Sequence, residues 1–149
     1  MELRTVITVE PSDSRITYSD KLIFTGSCFA TSIGKKLESG RMPVLINPFG
    51  TVYNPVSVCT TLNAIAEKKE YRYEDLIHYG NLWVSPDHYT DFSGEDPSIL
   101  LERINSSVRN AGAFLAGAKF LFVTFGTARI YRFNESGRIV SNCHKIPAS

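Results

Sequence analysis

Apolar residues in this chain fall into three short continuous runs. The runs occupy residues 21–25, 43–46 and 119–125, and each ends at a glycine or a polar turn. A short apolar run bounded in this way is typical of a strand that is buried on both faces. We therefore predict three buried core strands. The alternation of polar and apolar residues over 2–9 predicts an additional edge strand.

Stretches with helical spacing separate these runs. After the first run, Phe29, Ile33 and Leu37 recur at helical intervals, and Gly40 fits a C-cap. After the second run, Asn54 and Pro55 are typical of an N-cap and a first helical residue. The apolar stripe predicted for this second helix consists of Val58, Leu62, Ile65 and Ala66.

The longest predicted helix precedes the third run. Asp96 fits its N-cap, Pro97 follows, and the apolar stripe extends to about Leu115. Between the second and third helices, residues 71–97 are rich in aromatic and polar side chains. They predict a short helix near residues 74–77 and then a long loop, a feature that is often functional in compact domains.

The order of these elements predicts an α/β domain. Strands that alternate with helices form a parallel sheet with right-handed crossovers and helices on both faces. After the third strand, residues 134–137 separate two short strand-like segments and predict a β-hairpin. Because three core strands and a hairpin make a small sheet, we expect one domain over residues 1–149 that is incomplete at its C-terminal side.

Composition argues against several classes of partner and cofactor. Of 149 residues, 43% are hydrophobic and 21% charged, the net charge is +1, and no basic run exceeds two residues. We therefore expect no nucleic-acid partner and no anionic-membrane surface. Since no segment approaches the roughly 18 apolar residues of a membrane span, and no signal-peptide core is visible, a cytoplasmic location follows. Three cysteines without a CxxC pair predict free thiols, with no metal and no cofactor.

Small and polar residues follow each predicted core strand. They lie at 26–28, 47–51 and 126–127, and in a parallel sheet such loops meet beyond one edge, where ligands bind. Cys28 falls at the start of the first helix, where unpaired N–H groups and the helix dipole stabilise a thiolate and can bind an oxyanion. The alternative is structural: Cys28 is a small buried residue and Ser27 is simply an N-cap.

Four segments of the chain resemble one known family. Residues 26–30 spell GSCFA, and residues 47–55, 124–128 and 142–147 match further segments in the same order. The chain thus resembles the GSCFA family, which is distantly similar to the SGNH hydrolases. This resemblance implies a bacterial protein with a three-layer α/β/α fold, flavodoxin-like in general plan, and a mainly parallel sheet. It also implies action on esters, often acetyl groups on carbohydrates.

The resemblance to the hydrolases assigns roles to single residues. Their Gly-Asp-Ser turn supplies a serine nucleophile, and here Cys28 falls in its place, or Ser27 if the register differs by one. Gly50 matches their oxyanion-hole glycine. Their Gly-x-Asn block corresponds to Gly126 and Thr127 without the asparagine, so the donor would be the Thr127 hydroxyl or a backbone N–H.

The general base has no clear counterpart in the chain. The hydrolases' Asp-x-x-His pattern is missing, and the chain resembles only the N-terminal half to two-thirds of a complete domain, so we expect it to be inactive alone. His144, with Asn142, is the alternative source of a base if it reaches Cys28; otherwise His144 is structural. His88 lies near the mouth of the site or packs the loop.

The remaining candidates have simpler interpretations. Cys59 is predicted to be a core thiol, and Cys143 to be structural. Asn47 and Asn54 hold the second loop or touch substrate, and the following Pro55 favours a structural role for Asn54.

Two functions follow. The first is a hydrolase or acyltransferase that forms a covalent intermediate within residues 26–28 and acts on an acylated carbohydrate or a similar small ester. The alternative is a non-catalytic module that keeps the cleft and binds a ligand, which the missing asparagine favours.

Overall fold

A three-stranded parallel sheet forms the centre of the fold. The computed structural model describes residue 5 and residues 7–134 and 136–147. The sheet has the order β2-β1-β6, and its strands are β1 (Lys21–Gly26), β2 (Val44–Ile46) and β6 (Ala118–Thr124). Both pairings of β1 are parallel, as the sequence predicts. The other elements are α1 (Cys28–Ser39), α2 (Pro55–Ala66), a 3₁₀ turn (Tyr73–Asp75), β3 (Ile77–Tyr79), β4 (Leu82–Val84), β5 (Ser93–Gly94), α3 (Pro97–Leu115), β7 (Tyr131–Arg132) and β8 (Ile139–Val140).

Helix α1 packs on one face of the sheet, and the cluster of α2 and α3 reaches β2. Successive side chains of a strand point to opposite faces, so Leu22 and Phe24 pack with Ala30 of α1 on one side. Gly34 lets α1 approach the sheet, since a Cβ there would lie 2.8 Å from Ile46 Cγ1. On the other side, α2 packs on α3, and their apolar cluster reaches Leu45 of β2.

The strand β6 differs from the prediction of a strand buried on both faces. Phe120 and Phe122 are half-buried in the α1 cluster, but Leu121 is 46% exposed and Val123 is 38% exposed. The reason is position: β6 lies at the edge of the sheet. A continuous apolar run does not distinguish a central strand from an edge strand.

The aromatic segment forms more regular structure than the predicted long loop. The strands β3, β4 and β5 make a second, antiparallel sheet, and the 3₁₀ turn replaces the predicted short helix. These strands are only two or three residues long, too short for alternation to be visible in the sequence. Side chains of the segment, including Tyr71, Leu76 and Phe92, are buried in the cluster of α2 and α3.

Most predicted helix ends and the predicted hairpin are confirmed. The Asn54 Oδ1 accepts the Ser57 N–H at 2.8 Å, and the Asp96 Oδ1 accepts the Ser98 N–H at 2.7 Å. Gly40 is the C-cap of α1. The hairpin β7–β8 pairs Tyr131 with Val140.

Two further expectations concern the N-terminus and membranes. Of the predicted edge strand over residues 2–9, positions 2–4 and 6 lie outside the described residues, and 7–9 form no strand. No helix within the described part of the chain has the length and apolar character to cross a membrane.

His88 lies inside the core and not at the mouth of a cleft. Its side chain is fully buried, its ring stacks on Phe49 with 4.0 Å between centroids, and its Nδ1 lies 2.6 Å from the Ser85 hydroxyl. Burial lowers the pKa of His88 to about 3, with smaller contributions from the charges of Lys69 and His144. The neutral imidazole is therefore part of the folded core.

We expect His88 to make stability fall as the solution is acidified. An unfolded imidazole binds a proton below its ordinary pKa of about 6.5, whereas the folded one resists protonation down to about 3. The free energy of unfolding should therefore drop between pH 6.5 and 4, by about 3 kcal/mol more in the native chain than in His88→Gln. Urea titrations at several pH values measure this difference. The exposed His78 offers the control His78→Gln, in which the drop assigned to His88 should remain; parallel curves for the native chain and His88→Gln would contradict the assignment.

Candidate functional site

The end of β1 is bonded to both neighbouring loops. The Gly26 N–H donates to Asn47 Oδ1 at 2.7 Å, and the Gly26 carbonyl accepts the Val52 N–H at 3.0 Å. The next residue, Ser27, donates its N–H to the Thr124 carbonyl at 3.2 Å and to Thr124 Oγ1 at 3.0 Å. The three predicted strand-end loops therefore lie side by side.

Gly26 permits this close approach. Its φ is +124°, and an added Cβ would lie 1.8 Å from the Thr124 carbonyl oxygen. An L side chain is strained at such a φ and has no space here. The glycine that ends the first apolar run is therefore required by the junction between β1 and β6.

Asn47 holds the second loop in place. It is 9% exposed with a φ of +41°, a conformation that asparagine tolerates better than most residues. Its Oδ1 accepts the Gly26 N–H, and its Nδ2 donates to Thr31 Oγ1 at 2.7 Å. Both ends of the amide are occupied, so the geometry gives Asn47 a structural task.

Ser27 and Cys28 have different environments. Ser27 is 6% exposed, and its hydroxyl is 2.9 Å from Thr124 Oγ1 and does not cap α1. Cys28, the first residue of α1, is exposed. Within the described residues, the Cys28 and Phe29 N–H groups have no acceptor, as expected for the first turn of a helix without a side-chain cap. Cys28 is thus an accessible thiol beside free amides and not a residue of the interior.

The amides assigned from the hydrolase resemblance are already engaged. The Gly50 N–H donates to the Asn47 carbonyl at 2.7 Å, and the N–H groups of Gly126 and Thr127 donate to the Tyr53 carbonyl at 2.8 and 3.2 Å. The Thr127 Oγ1 accepts the Arg129 N–H at 3.1 Å, which leaves its hydroxyl proton available. These three amides therefore cannot bind an oxyanion without losing an internal hydrogen bond.

Tyr53 is a site residue that the sequence reasoning missed. An added Cβ at Gly126 would lie 2.8 Å from Tyr53 Cδ1 and 3.5 Å from Ser27 Cβ, so the ring packs on Gly126 next to the β1 turn. Desolvation raises the pKa of the Tyr53 phenol, and the charges of Tyr89, Cys143 and Cys28 raise it further. The available signal was its position within residues 47–55, one of the segments that carry the family resemblance.

Cys143 lines the opposite side of the second loop. Its Sγ lies 3.6 Å from the Thr51 carbonyl, and burial raises the pKa of the Cys143 thiol to about 11. The thiol is therefore protonated at neutral pH and bonds the loop, in agreement with the predicted structural role.

His144 and Asn142 are not brought to Cys28 by any contact within the described residues. His144 is half-buried and bonds the Ser85 backbone; burial lowers its pKa, while that hydrogen bond raises it less. Asn142 Oδ1 accepts the Ile146 N–H at 2.9 Å and its Nδ2 donates to the Ile146 carbonyl at 3.0 Å. Both residues hold the segment that follows β8.

A family model matches most of the chain. The model described as the GSCFA family covers residues 21–149. The chain belongs to the GSCFA family. No curated protein and no solved structure matches it. In this GSCFA chain, residues 26–30 form the turn after β1 and the first residues of α1, of which Cys28 and Phe29 are exposed.

The third thiol of this GSCFA chain corrects one prediction. Cys59 was expected in the core, but it is exposed. The buried face of α2 contains Ser57, Val58, Thr61, Ala64 and Ile65. Cys59 lies outside that face. The pattern of apolar residues did not indicate this, because two of the buried residues, Ser57 and Thr61, are polar.

We expect Cys143 and Cys59 to react with iodoacetamide at different rates. At pH 8, Cys143 should react at least about tenfold more slowly than Cys59, because it is half-buried and a pKa of about 11 leaves little thiolate. Peptide mapping after timed alkylation measures each rate. In urea the difference between the two thiols should disappear. Equal rates in the folded chain would contradict the Cys143 environment.

Removal of the Asn47 amide should loosen the site. Asn47→Ala leaves the buried Gly26 N–H without its acceptor, so the free energy of unfolding should fall by about 2 kcal/mol. The exposed Asn63 on α2 gives the matched control Asn63→Ala, with an expected change within about 0.5 kcal/mol. Urea denaturation compares the two variants, and equal stabilities would argue against the structural task of Asn47.

Proposed function

We propose that this GSCFA protein is a hydrolase or acyltransferase that takes an acyl group from an ester onto Cys28. The observation that carries the proposal is the exposed Cys28 thiol at the start of α1, beside N–H groups without an internal acceptor. Such N–H groups favour a thiolate and can bind the oxygen of a reacting carbonyl. The burial of the Ser27 hydroxyl and its bond to Thr124 support Cys28 over Ser27 as the nucleophile.

The proposed reaction has two steps. The thiol loses its proton to solvent, the thiolate sulfur attacks the ester carbonyl carbon, and the carbonyl electron pair moves onto oxygen. When that oxyanion collapses, the C–O bond breaks, the alcohol leaves as an alkoxide that takes up a proton, and a thioester remains on Cys28. Water then gives the free acid and restores the thiol, whereas a second alcohol gives a transferred ester.

The fold supports comparison with the SGNH hydrolases. The site lies beyond the carboxyl ends of parallel strands, where open α/β sheets bind ligands. We extend this to the three-layer α/β/α plan implied by the resemblance, and to an acylated carbohydrate or a similar small ester as substrate. Bacterial origin and a cytoplasmic location stay predictions from the sequence.

A non-catalytic binding module is the second candidate. Two observations favour it. His144 bonds the Ser85 backbone, and no imidazole or carboxylate bonds Cys28 within the described residues. The Gly50 amide donates to the Asn47 carbonyl and is not free for an oxyanion. Such a module would bind an ester in the cleft without acylation. An ester that raises the thermal midpoint equally in the native chain and in Cys28→Ala, without acylating either, would support it.

The acylation of Cys28 by p-nitrophenyl acetate tests the enzymatic proposal. For each thiol, the acetylation rate is divided by its iodoacetamide rate, so that exposure and thiolate fraction cancel. We expect this ratio to be about 10²-fold higher at Cys28 than at the exposed Cys59, because only Cys28 has donors for the oxyanion.

Two variants and peptide mapping define the outcomes. Cys28→Ala should lose the fast acetylation, and Cys59→Ala should keep the rate at Cys28. Equal ratios at the two thiols would leave Cys28 without activation and contradict the proposal, and an acetyl group mapped to Ser27 would replace Cys28 as the nucleophile.

A further inference from the structure

The backbone around Tyr53 is held at the site by hydrogen bonds on both sides. The preceding residue, Val52, donates its N–H to the Gly26 carbonyl at 3.0 Å. The Tyr53 carbonyl accepts two N–H groups, from Gly126 at 2.8 Å and from Thr127 at 3.2 Å. The backbone of residues 52 and 53 therefore joins the end of β1 to the residues that follow β6.

Gly126 makes room for the Tyr53 ring. An added Cβ on Gly126 would lie 2.8 Å from Tyr53 Cδ1 and 3.5 Å from Ser27 Cβ. The hydrolase resemblance places a donor asparagine two residues after this glycine, and Ala128 stands there. The Tyr53 ring thus lies beside Gly126 and the β1 turn.

The Tyr53 hydroxyl is available to a ligand. The residue is 38% exposed, and its hydroxyl has no hydrogen-bond partner within the described residues. Desolvation raises the pKa of the Tyr53 phenol, with further contributions from the charges of Tyr89, Cys143 and Cys28, so the hydroxyl is protonated at neutral pH. A neutral phenol can donate one hydrogen bond.

We propose that the Tyr53 hydroxyl donates a hydrogen bond to the carbonyl oxygen of the ester that acylates Cys28. This inference rests on the proposed function and adds a catalytic residue to it. The oxygen gains charge when the thiolate attacks, so the bond strengthens in the transition state and stabilises it. The proton stays on Tyr53, and the C–O bond of the ester breaks as described for Cys28.

The backbone donors assigned to this task are less suitable, whereas the Thr127 hydroxyl keeps its proton available. The amides of Gly50, Gly126 and Thr127 are held by internal carbonyls. The free amides of the first turn of α1 provide donors on the Cys28 side, and Tyr53 provides one from the facing loop. Together they would surround the oxygen in the arrangement typical of an oxyanion hole.

Comparison of two reactions of Cys28 tests the proposal. Acetylation by p-nitrophenyl acetate develops an oxyanion, whereas alkylation by iodoacetamide proceeds at a saturated carbon and develops none. Tyr53→Phe should lower the ratio of acetylation to alkylation rate at Cys28 about 10²-fold, with the alkylation rate and the thermal midpoint unchanged. Tyr79→Phe, on β3 in the antiparallel sheet, is the matched control and should keep the native ratio.

A fluorinated tyrosine at position 53 gives a second measurement that a structural role would not affect. Fluorination lets the phenol ionise at lower pH, and a phenolate cannot donate a hydrogen bond. The ratio at Cys28 should then fall as pH rises through that ionisation, while the native chain shows no such fall over the same range.

The outcomes separate the inference from the proposed function. If Tyr53→Phe keeps the high native ratio, or lowers both rates together, Tyr53 is not the donor, although Cys28 acylation stands. If native Cys28 has no advantage over Cys59, the proposed function fails and the inference fails with it. A pH-independent ratio in the fluorinated chain also overturns the inference, even if Tyr53→Phe does not fold.

Discussion

The contact between the backbone of residues 26 and 27 and the end of β6 is the constraint on which the site depends. A hydrogen bond from the Ser27 N–H to the Thr124 carbonyl requires the ends of β1 and β6 to lie so close together that no Cβ fits at Gly26. This approach turns the chain sharply out of the sheet, so that α1 begins directly at Cys28. If the junction were wider, the first turn of α1 would not lie at the meeting point of the three loops.

A second set of contacts stiffens the same region from the side of β2. Asn47 bonds both β1 and α1 through one amide, and Gly50 packs so closely on Tyr89 that a Cβ would lie 2.3 Å from Tyr89 Cβ. The amides of Gly50, Gly126 and Thr127 donate within this framework, so the available donors are the first amides of α1 and the hydroxyls of Tyr53 and Thr127. The rigidity of the loops and the identity of the free donors thus have one cause. Preorganised donors of this kind are suited to a charge that develops during reaction.

The C-terminal part of the described chain is held by a buried polar network. Asp87 is 3% exposed and binds Arg138 and the Tyr71 hydroxyl, while the Pro86 carbonyl accepts the N–H groups of Ser141 and Asn142. This docking brings Cys143 against Thr51 and directs His144 to Ser85. The segment over residues 142–147, which carries part of the family resemblance, therefore supports the second loop. Its His144 bonds the Ser85 backbone and not the Cys28 thiol.

The sequence alone determined the features that depend on neighbouring residues. The apolar run before Gly26, the caps at Asn54 and Asp96, and the hairpin after residue 130 each follow from local propensity, and all were predicted. The short antiparallel strands, the exposure of β6 and Cys59, the burial of His88 and the role of Tyr53 were decided by tertiary packing. These features share one physical reason. Whether a side chain is buried, and which group bonds its polar atoms, depends on residues that are distant in sequence. Ser27 and Thr124, for example, are hydrogen-bonded although 97 positions separate them.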